Sequence, residues 1–597
     1  MFRQAVFLGF LALVTIAQTQ TTCQLDSIPT ATPVPQLNLP WGVWNATCFQ
    51  SDNQIYLFKN VRFGTVPERF GPPIRPNWLD DTVQNMDWNV SCIQVDRSEQ
   101  PNPPGGTPLI GDPSSNAELQ CEDCLFLDIY VPVSAFQPES ELLPVVVWFY
   151  GGAYAIGSKT PIGPIYTGQS SLNASNYQTI FIVGNYRLGA FGWLAGDYMQ
   201  KAGQPNAGLY DQALLLEWVR DYVHLIQGDK DRVSAWGESA GAGSILHHLI
   251  REDGKQDPLF NTFATQSPAF QWAWDNSPDG QLDTIYRNFS DLSGCGYGYN
   301  ISCLRNASVE TLALANQELF KQVTLEGLFP VGPAVDGNWI KSIPAVSFSQ
   351  GNYWRGIEAA IISHTANEPQ SFTPNISTQD EFDEFLNDFL PGPNMEIYRI
   401  AISKQYNCTA DFDGDFHRCL SIIIRDSTFT CNTRNLFEAY PNSSYMMQYA
   451  FPWDDLAVHA SDLIPLFTNN RQQVAAIIES ITGSTENGSA YSELLGDKIP
   501  SMYKNYFASL SLYGNPNVGP SQPEVSWPVA NGSADKLSDV MRVSWDLFGH
   551  NFQLITDDQN ANSTCSFWTE LAKNLTSPQG DIDSEGRVPL TKELAEL

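Results

Sequence analysis

Short apolar runs set between turn residues recur through the first half of the chain. They cover 125–133 (LFLDIYVPV), 143–150 (LPVVVWFY), 179–187 (TIFIVGNYR), 232–236 (RVSAW) and 260–266 (FNTFATQ). They are rich in β-branched and aromatic residues and mostly lack polar alternation, which predicts central strands covered on both faces. Between them the apolar spacing changes to a helical period, over 207–226 and 239–250. Strand then helix, repeated, predicts an α/β sheet. Two later runs, 356–363 (GIEAAIIS) and 444–451 (SYMMQYAF), predict further strands after a long insertion rich in helices and loops. No repeat period, charge run or Pro/Gly/Ser linker divides the chain, so a single domain over 18–597 is the simplest reading.

Residues 1–17 (MFRQAVFLGFLALVTIA) break this pattern. They place Arg3 before an apolar run too short to cross a bilayer and end in small residues, as a secretory signal does; cleavage is expected at Ala17 or by about residue 20. Export fits the thirteen N-x-[S/T] sequons, starting at Asn45, Asn89, Asn173, Asn288, Asn300, Asn306, Asn375, Asn407, Asn442, Asn487, Asn531, Asn562 and Asn574. No other long apolar stretch exists, and the polar tail 583–597 lacks a lipid-anchor signal, so no stable membrane anchor is expected. Eleven cysteines in 597 residues would staple loops rather than replace a core. Cys121 and Cys124 have no second knuckle, which argues against a metal site. With 32 basic against 65 acidic residues the net charge is -33, and no basic stripe offsets it, so nucleic acid is excluded as a partner.

Candidate chemistry enters at 236–244, WGESAGAGS. The strand RVSAW leads into it and a helix starts at or beside Ser239, which together make a strand, sharp turn and helix; Gly237 and Gly241 flank the serine where side chains would crowd the turn. Ala240 opens the helix, where its amide points toward a developing oxyanion. A second strand, 145–150, runs into Gly151 and Gly152, so the expected oxyanion donors are the amides of Gly152, Ala153 and Ala240. Only seven histidines can supply a base. His247 and His248 share the helix of Ser239 and cannot fold back onto its start; His224 precedes it, and His417 lies in acidic DFDGDFHRC. His459 follows the strand 444–451 by one loop, whereas His550 has no such strand before it, so His459 is the expected base. Glu368, just past the apolar run 356–363, is a candidate acid; a surface glutamate reads equally well at this point.

Taken together these residues resemble the type-B carboxylesterase and lipase family, which includes cholinesterases and fungal lipases, over most of the chain. CEDCLFLDIYVP (121–132) is similar to the family's E-D-C-L-x-L-N signature and GESAGAGS to its G-E-S-A-G-x-x-S. NYRLGAFGWL (185–194), AGLYDQALLLEWV (207–219) and PAVDG (333–337) match in order. The resemblance implies the α/β-hydrolase fold, a large, mostly parallel central sheet flanked by helices with long helical and loop insertions. It implies a triad of Ser239, Glu368 and His459, and disulfides Cys92–Cys124, Cys295–Cys303 and Cys431–Cys565. Cys408 and Cys419 are left as a local pair, and of Cys23, Cys48 and Cys121 one must stay unpaired, Cys48–Cys121 being the first pairing to test. Trp274 and Phe329 stand where the family builds its acyl pocket, although core packing explains them equally well.

The chain departs from the family at Ala153, where a third glycine is usual, at Pro369 in place of the glycine after the acid, and in a polar Cys92–Cys124 loop without the tryptophan cholinesterases use for a quaternary ammonium. The implied activity is a secreted serine esterase hydrolysing small-molecule or lipid esters through an acyl-enzyme, with no metal or organic cofactor. The alternatives are a lipase for long-chain acylglycerol or sterol esters, and a non-catalytic adhesion protein of the same fold.

Overall fold

The computed structural model describes residues 34–576 except 50–51, 85–87, 96–118, 162, 324–326, 522, 524 and 533–534. The expected leader 1–17, Cys23, the tail 583–597 and most of the Cys92–Cys124 loop lie outside the described residues.

Twelve strands form one sheet. In chain order they are β1 (Thr47–Phe49), β2 (Asp52–Arg62), β3 (Phe126–Pro132), β4 (Leu143–Phe149), β5 (Ile180–Gly184), β6 (Gly228–Glu238), β7 (Thr262–Gln266), β8 (Ala359–Thr365), β9 (Ser444–Tyr449), β10 (Asn531–Gly532), β11 (Leu537–Val543) and β12 (Phe552–Asp557). Across the sheet the order is β10-β11-β9-β8-β7-β6-β4-β5-β3-β2-β1, with β12 on β11. The pairs from β5 through β4, β6, β7, β8 and β9 to β11 are parallel. The outer pairs β1/β2, β2/β3, β3/β5, β10/β11 and β11/β12 are antiparallel.

The unalternating apolar runs are the reason for this arrangement. β5, β7, β8 and β9 are buried at every residue, which is what helices on both faces of a parallel sheet require. Burying each Val, Ile or Phe there contributes about 1.5–3 kcal/mol over leaving it in water. The expected strands all occur, within a few residues of their sequence-based ends, and β6 extends outward from 232–236 to Gly228–Glu238. The antiparallel strands at the two ends of the sheet were not expected from the sequence.

Helix α1 (Ala207–Tyr222) and the wholly buried α2 (Ala240–Leu249) cover the sheet beside β6. Within the insertion, Thr378 caps α3 (Gln379–Phe389) in a capping box with Glu381. Helix α4 (Phe416–Ile424) runs through a π-helical turn, Arg425–Thr430, into α5 (Cys431–Ala439). The disulfide Cys431–Cys565 joins α5 to α6 (Asn562–Thr576). Cys92–Cys124, Cys295–Cys303 and Cys408–Cys419 are also bonded, as expected. The suggested Cys48–Cys121 pair does not form. Cys48 sits on edge strand β1 opposite Tyr56, while Cys121 points its thiol at the carbonyl of Asp123, 3.0 Å away, so the two belong to different hydrogen-bonded surroundings. Among the described residues no helix is long and apolar enough to cross a membrane, and no cluster of His, Cys, Asp or Glu could hold a metal ion.

Candidate active site

The parallel registers bring the C-terminal ends of β4, β6, β7, β8 and β9 to one edge of the sheet, and the site is built from the loops that leave it. Ser239 follows Glu238, the last residue of β6, and takes φ 55°, ψ -124° as the N-cap of α2. A non-glycine residue held there stores on the order of 1–3 kcal/mol of strain. The turn is kept by close approach: a Cβ on Gly241 would stand 2.0 Å from the carbonyl oxygen of Phe149, and one on Gly237 would stand 2.7 Å from the carbonyl carbon of Gly241. The Ser239 amide donates to Gln266 at the end of β7 (2.9 Å), and its carbonyl accepts from Ala269 (3.1 Å). Its position is thus fixed from two strands.

The loop after β4 passes under the serine. A Cβ on Gly151 would meet the Ser239 Cβ at 2.9 Å. Gly152, Ala153 and Tyr154 all have positive φ (108°, 54° and 60°), so Ala153 holds, with strain, a conformation glycine takes freely. The amides of Gly152, Ala153 and Ala240 donate to no acceptor among the described residues, and unpaired amides beside a nucleophile are what an oxyanion hole needs.

Glu368 opens the short turn Glu368–Ser371 beyond β8 and is fully buried. Its Oε1 accepts from the Thr365 amide (2.6 Å), and its Oε2 accepts from Nδ1 of His459 (2.6 Å). Asn367 binds this acid loop to the histidine loop, its amide donating to Ala457 (3.0 Å) and its side chain to Asp455 (3.0 Å). With Nδ1 carrying the proton, Nε2 of His459 is the basic nitrogen. It lies 3.1 Å from Oε1 of Glu238 and makes no hydrogen bond to Ser239. Phe372 stands edge-on to the ring at 5.1 Å and Phe429, on the π-helical turn, at 4.9 Å, so two aromatic rings confine it.

Two carboxyl groups missed by the sequence reading face the same imidazole. Glu238, inside the serine motif itself, is pushed up to about 8 by burial. Asp462, three residues past His459, is raised to about 6, again chiefly by burial, and accepts from Gln266 (2.7 Å). Burial opposes a charge on His459, but Glu238 and Glu368 outweigh it, and its pKa lies above the ordinary histidine value. The same contest ends the other way for Glu368, where His459 overcomes burial and holds the carboxyl below its usual range. Glu238 faces Nε2 without a hydrogen bond to it, so the two act on each other through charge: an ionised Glu238 favours the imidazolium, and the imidazolium favours ionised Glu238. The motif order could have flagged Glu238, and the spacing from His459 could have flagged Asp462.

Beside Ser239 opens a cleft of about 710 Å³, counting its mouth. Its walls carry Phe270, Phe329, Phe372, Phe385, Phe389 and Phe429, with Gln271, Ser427 and Thr428 as polar exceptions. Phe329 is therefore at the cleft as expected. Trp274 is not among the residues lining it and packs in the core, 9% exposed. His247 and His248 are buried packing residues, bonded to Gly243 and Gln212. His417 lies against Pro374, and His550 is exposed on the β11–β12 turn.

A carboxylesterase family model matches residues 44–564. A secreted lipase of Arthroderma benhamiae is 34% identical over 571 residues, 94% of this chain and 97% of its own. Carboxylesterase patB of Aspergillus clavatus is 30% identical, covering 90% of this chain and 96% of its own. Lipase 2 of Geotrichum candidum is 37% identical over 75% of this chain and 78% of its own. Among solved structures, Aspergillus niger EstA superposes with a TM-score of 0.71 at 22% identity, over 91% of this chain and 99% of that one.

Proposed function

The chain belongs to the carboxylesterase family and is a carboxylic ester hydrolase of the α/β-hydrolase fold, and from that premise we propose that Ser239, His459 and Glu368 carry out the reaction. Nε2 of His459 takes the Ser239 proton as Oγ attacks the ester carbonyl. The amides of Gly152, Ala153 and Ala240 receive the oxyanion, and Glu368 stabilises the imidazolium through Nδ1. His459 then protonates the departing alcohol and activates the water that frees the acyl group. The 2.6 Å bond between Glu368 and Nδ1, beneath a serine held on a strained elbow, is the observation that carries this reading.

The Phe-lined cleft supports an apolar acyl group. It leaves both an esterase for small-molecule esters and a lipase for long acylglycerol or sterol esters open as substrate readings. Relatives named secreted lipase, four disulfides and the leader-like residues 1–17 support a secreted, extracellular protein, one domain after cleavage.

Ser239→Ala is expected to lower kcat on p-nitrophenyl butyrate on the order of 10⁴-fold and to abolish covalent labelling by an organophosphate. Labelling of another residue, or turnover at the native rate, would remove Ser239 from this role, and failure of the native protein to label would revive the non-catalytic reading. A rate series from acetyl to palmitoyl esters separates the two substrate readings.

A further inference from the structure

β8 ends in His364-Thr365, three residues short of the proposed acid, and the histidine has its own buried carboxylate. His364 and Asp557 are both 0% exposed at their side chains, with Nε2 2.9 Å from Oδ2 of Asp557. Nδ1 of the same ring lies 2.9 Å from the carbonyl oxygen of Thr365. A carbonyl and a carboxylate both accept, which favours hydrogen on both ring nitrogens, although the Asn560 side-chain nitrogen also lies 3.3 Å from Nε2. Burial opposes the charge, but Asp557 outweighs it and holds the His364 pKa above the ordinary histidine value. Asp557 is otherwise saturated: the Gln559 amide (3.0 Å), Gln448 (3.4 Å) and Asn560 all donate to it.

The turn that holds Asp557 reaches further along the acid loop. Nε2 of Gln559 donates to the carbonyl of Ala366 (3.2 Å). His364 and Ala366 are thus each gripped by the 557–560 turn, with Thr365 between them bonded to the His364 ring, while the next residue, Asn367, is bonded to the histidine loop. The turn is itself anchored, Thr433 donating to the Asn560 side chain (2.5 Å), Arg434 to its carbonyl (3.3 Å), and Cys565 bonded to Cys431. The charged groups facing His364 are Asp557 from β12 and Glu368 from its own loop; Arg542 on β11 is separated from it by Gln448, to which it donates.

We propose that His364 and Asp557 are positioning residues for ester hydrolysis: their hydrogen-bonded pair ties the acid loop to the 557–560 turn and sets the position at which Glu368 meets His459. This rests on Glu368 being the acid. A carboxylate displaced by a fraction of its bond length no longer supports Nδ1, and misplacement on the 1 Å scale costs about 10²-fold in rate.

The test pairs two changes in the full-length protein. His364→Leu with Asp557→Leu removes the tie while leaving no buried charge, and its circular dichroism and urea midpoint are read beside the kinetics to establish that it folds. On p-nitrophenyl butyrate it is expected to lose about 10²-fold in kcat with KM little changed. The acid limb of its kcat/KM profile is expected to move to lower pH, because His459 has lost Glu368 while Glu238 and Asp462 still face it. Asp557→Asn keeps a hydrogen bond to a neutral His364 and is expected to retain most of the kcat the leucine pair loses. A folded leucine pair with native kcat and an unmoved acid limb would overturn the proposal, as would equal losses in both variants. Ser239→Ala run alongside keeps the two readings apart, since full activity there refutes the triad and native activity in the leucine pair refutes only the tie.

Discussion

Two buried histidine–carboxylate clusters stand at the same edge of the sheet, built from like parts and finished differently. Around His364 each ring nitrogen has a hydrogen-bonded partner, and one carboxylate balances one cation. Around His459 three carboxyl groups face one imidazole, and Nε2 of His459, Oε1 of Glu238 and Oδ1 of Asp462 are buried without a hydrogen bond. Leaving a buried polar atom unpaired costs about 1–3 kcal/mol. On the proposed roles, a structure that completes one cluster and leaves its neighbour incomplete separates a fastening from a reacting group. The first has nowhere to put another proton, and the second is arranged to receive one.

The sharpest way to break this contrast is to remove each histidine's function in turn. His459→Gln is expected to lower kcat on a short ester on the order of 10⁴-fold or more with little change in thermal midpoint; a modest loss would place the base elsewhere. Asp557→Leu alone leaves the His364 cation buried without its partner and is expected to cost about 3–5 kcal/mol of unfolding free energy, read from urea denaturation. A stability equal to wild type would show that the second cluster is not a fastening.

The pH profile sharpens the contrast further. His459 acts as a base only when Nε2 is unprotonated, so kcat/KM falls as pH drops through its pKa. Because Glu238 and Glu368 raise that pKa, the acid limb is expected above about 6.5. Glu238→Gln removes one of the two and is expected to shift the limb to lower pH; an unmoved limb would show that the Glu238 charge does not act on His459. The smallest effect belongs to Ala153→Gly, which relieves a positive φ and is expected to stabilise by less than about 1 kcal/mol, read as a rise in the urea midpoint, once the flexibility glycine adds to the unfolded chain is counted.

Much of the parallel sheet was legible because its strands are buried on both faces and leave unbroken apolar runs. The strand, turn and helix at Ser239 were legible because the elbow needs small residues at fixed places, and the place of His459 beside Glu368 because it follows a strand by one loop. The acid was ambiguous until the family motifs were considered, since a glutamate after a strand looks like any surface glutamate. Glu238 and Asp462 left only a motif position and a spacing as signals, and the His364–Asp557 pair left none. Their roles come from contacts between residues that are far apart in sequence, and no local pattern encodes such a distance. The Cys48–Cys121 pair failed for the same reason, as sequence position does not specify what surrounds a thiol.

The anchoring of the 557–560 turn by Cys431–Cys565 also bears on when the enzyme matures. A chain emerging from the ribosome owns Ser239, Glu368 and His459 long before residues 557–565 exist. On the proposed tie it holds all three and still lacks the grip that aligns them, so ester-cleaving power arrives with the last helix rather than with the last triad residue. Proteolytic nicking ahead of Asp557 would undo that step on the finished protein, without touching any residue that does the chemistry.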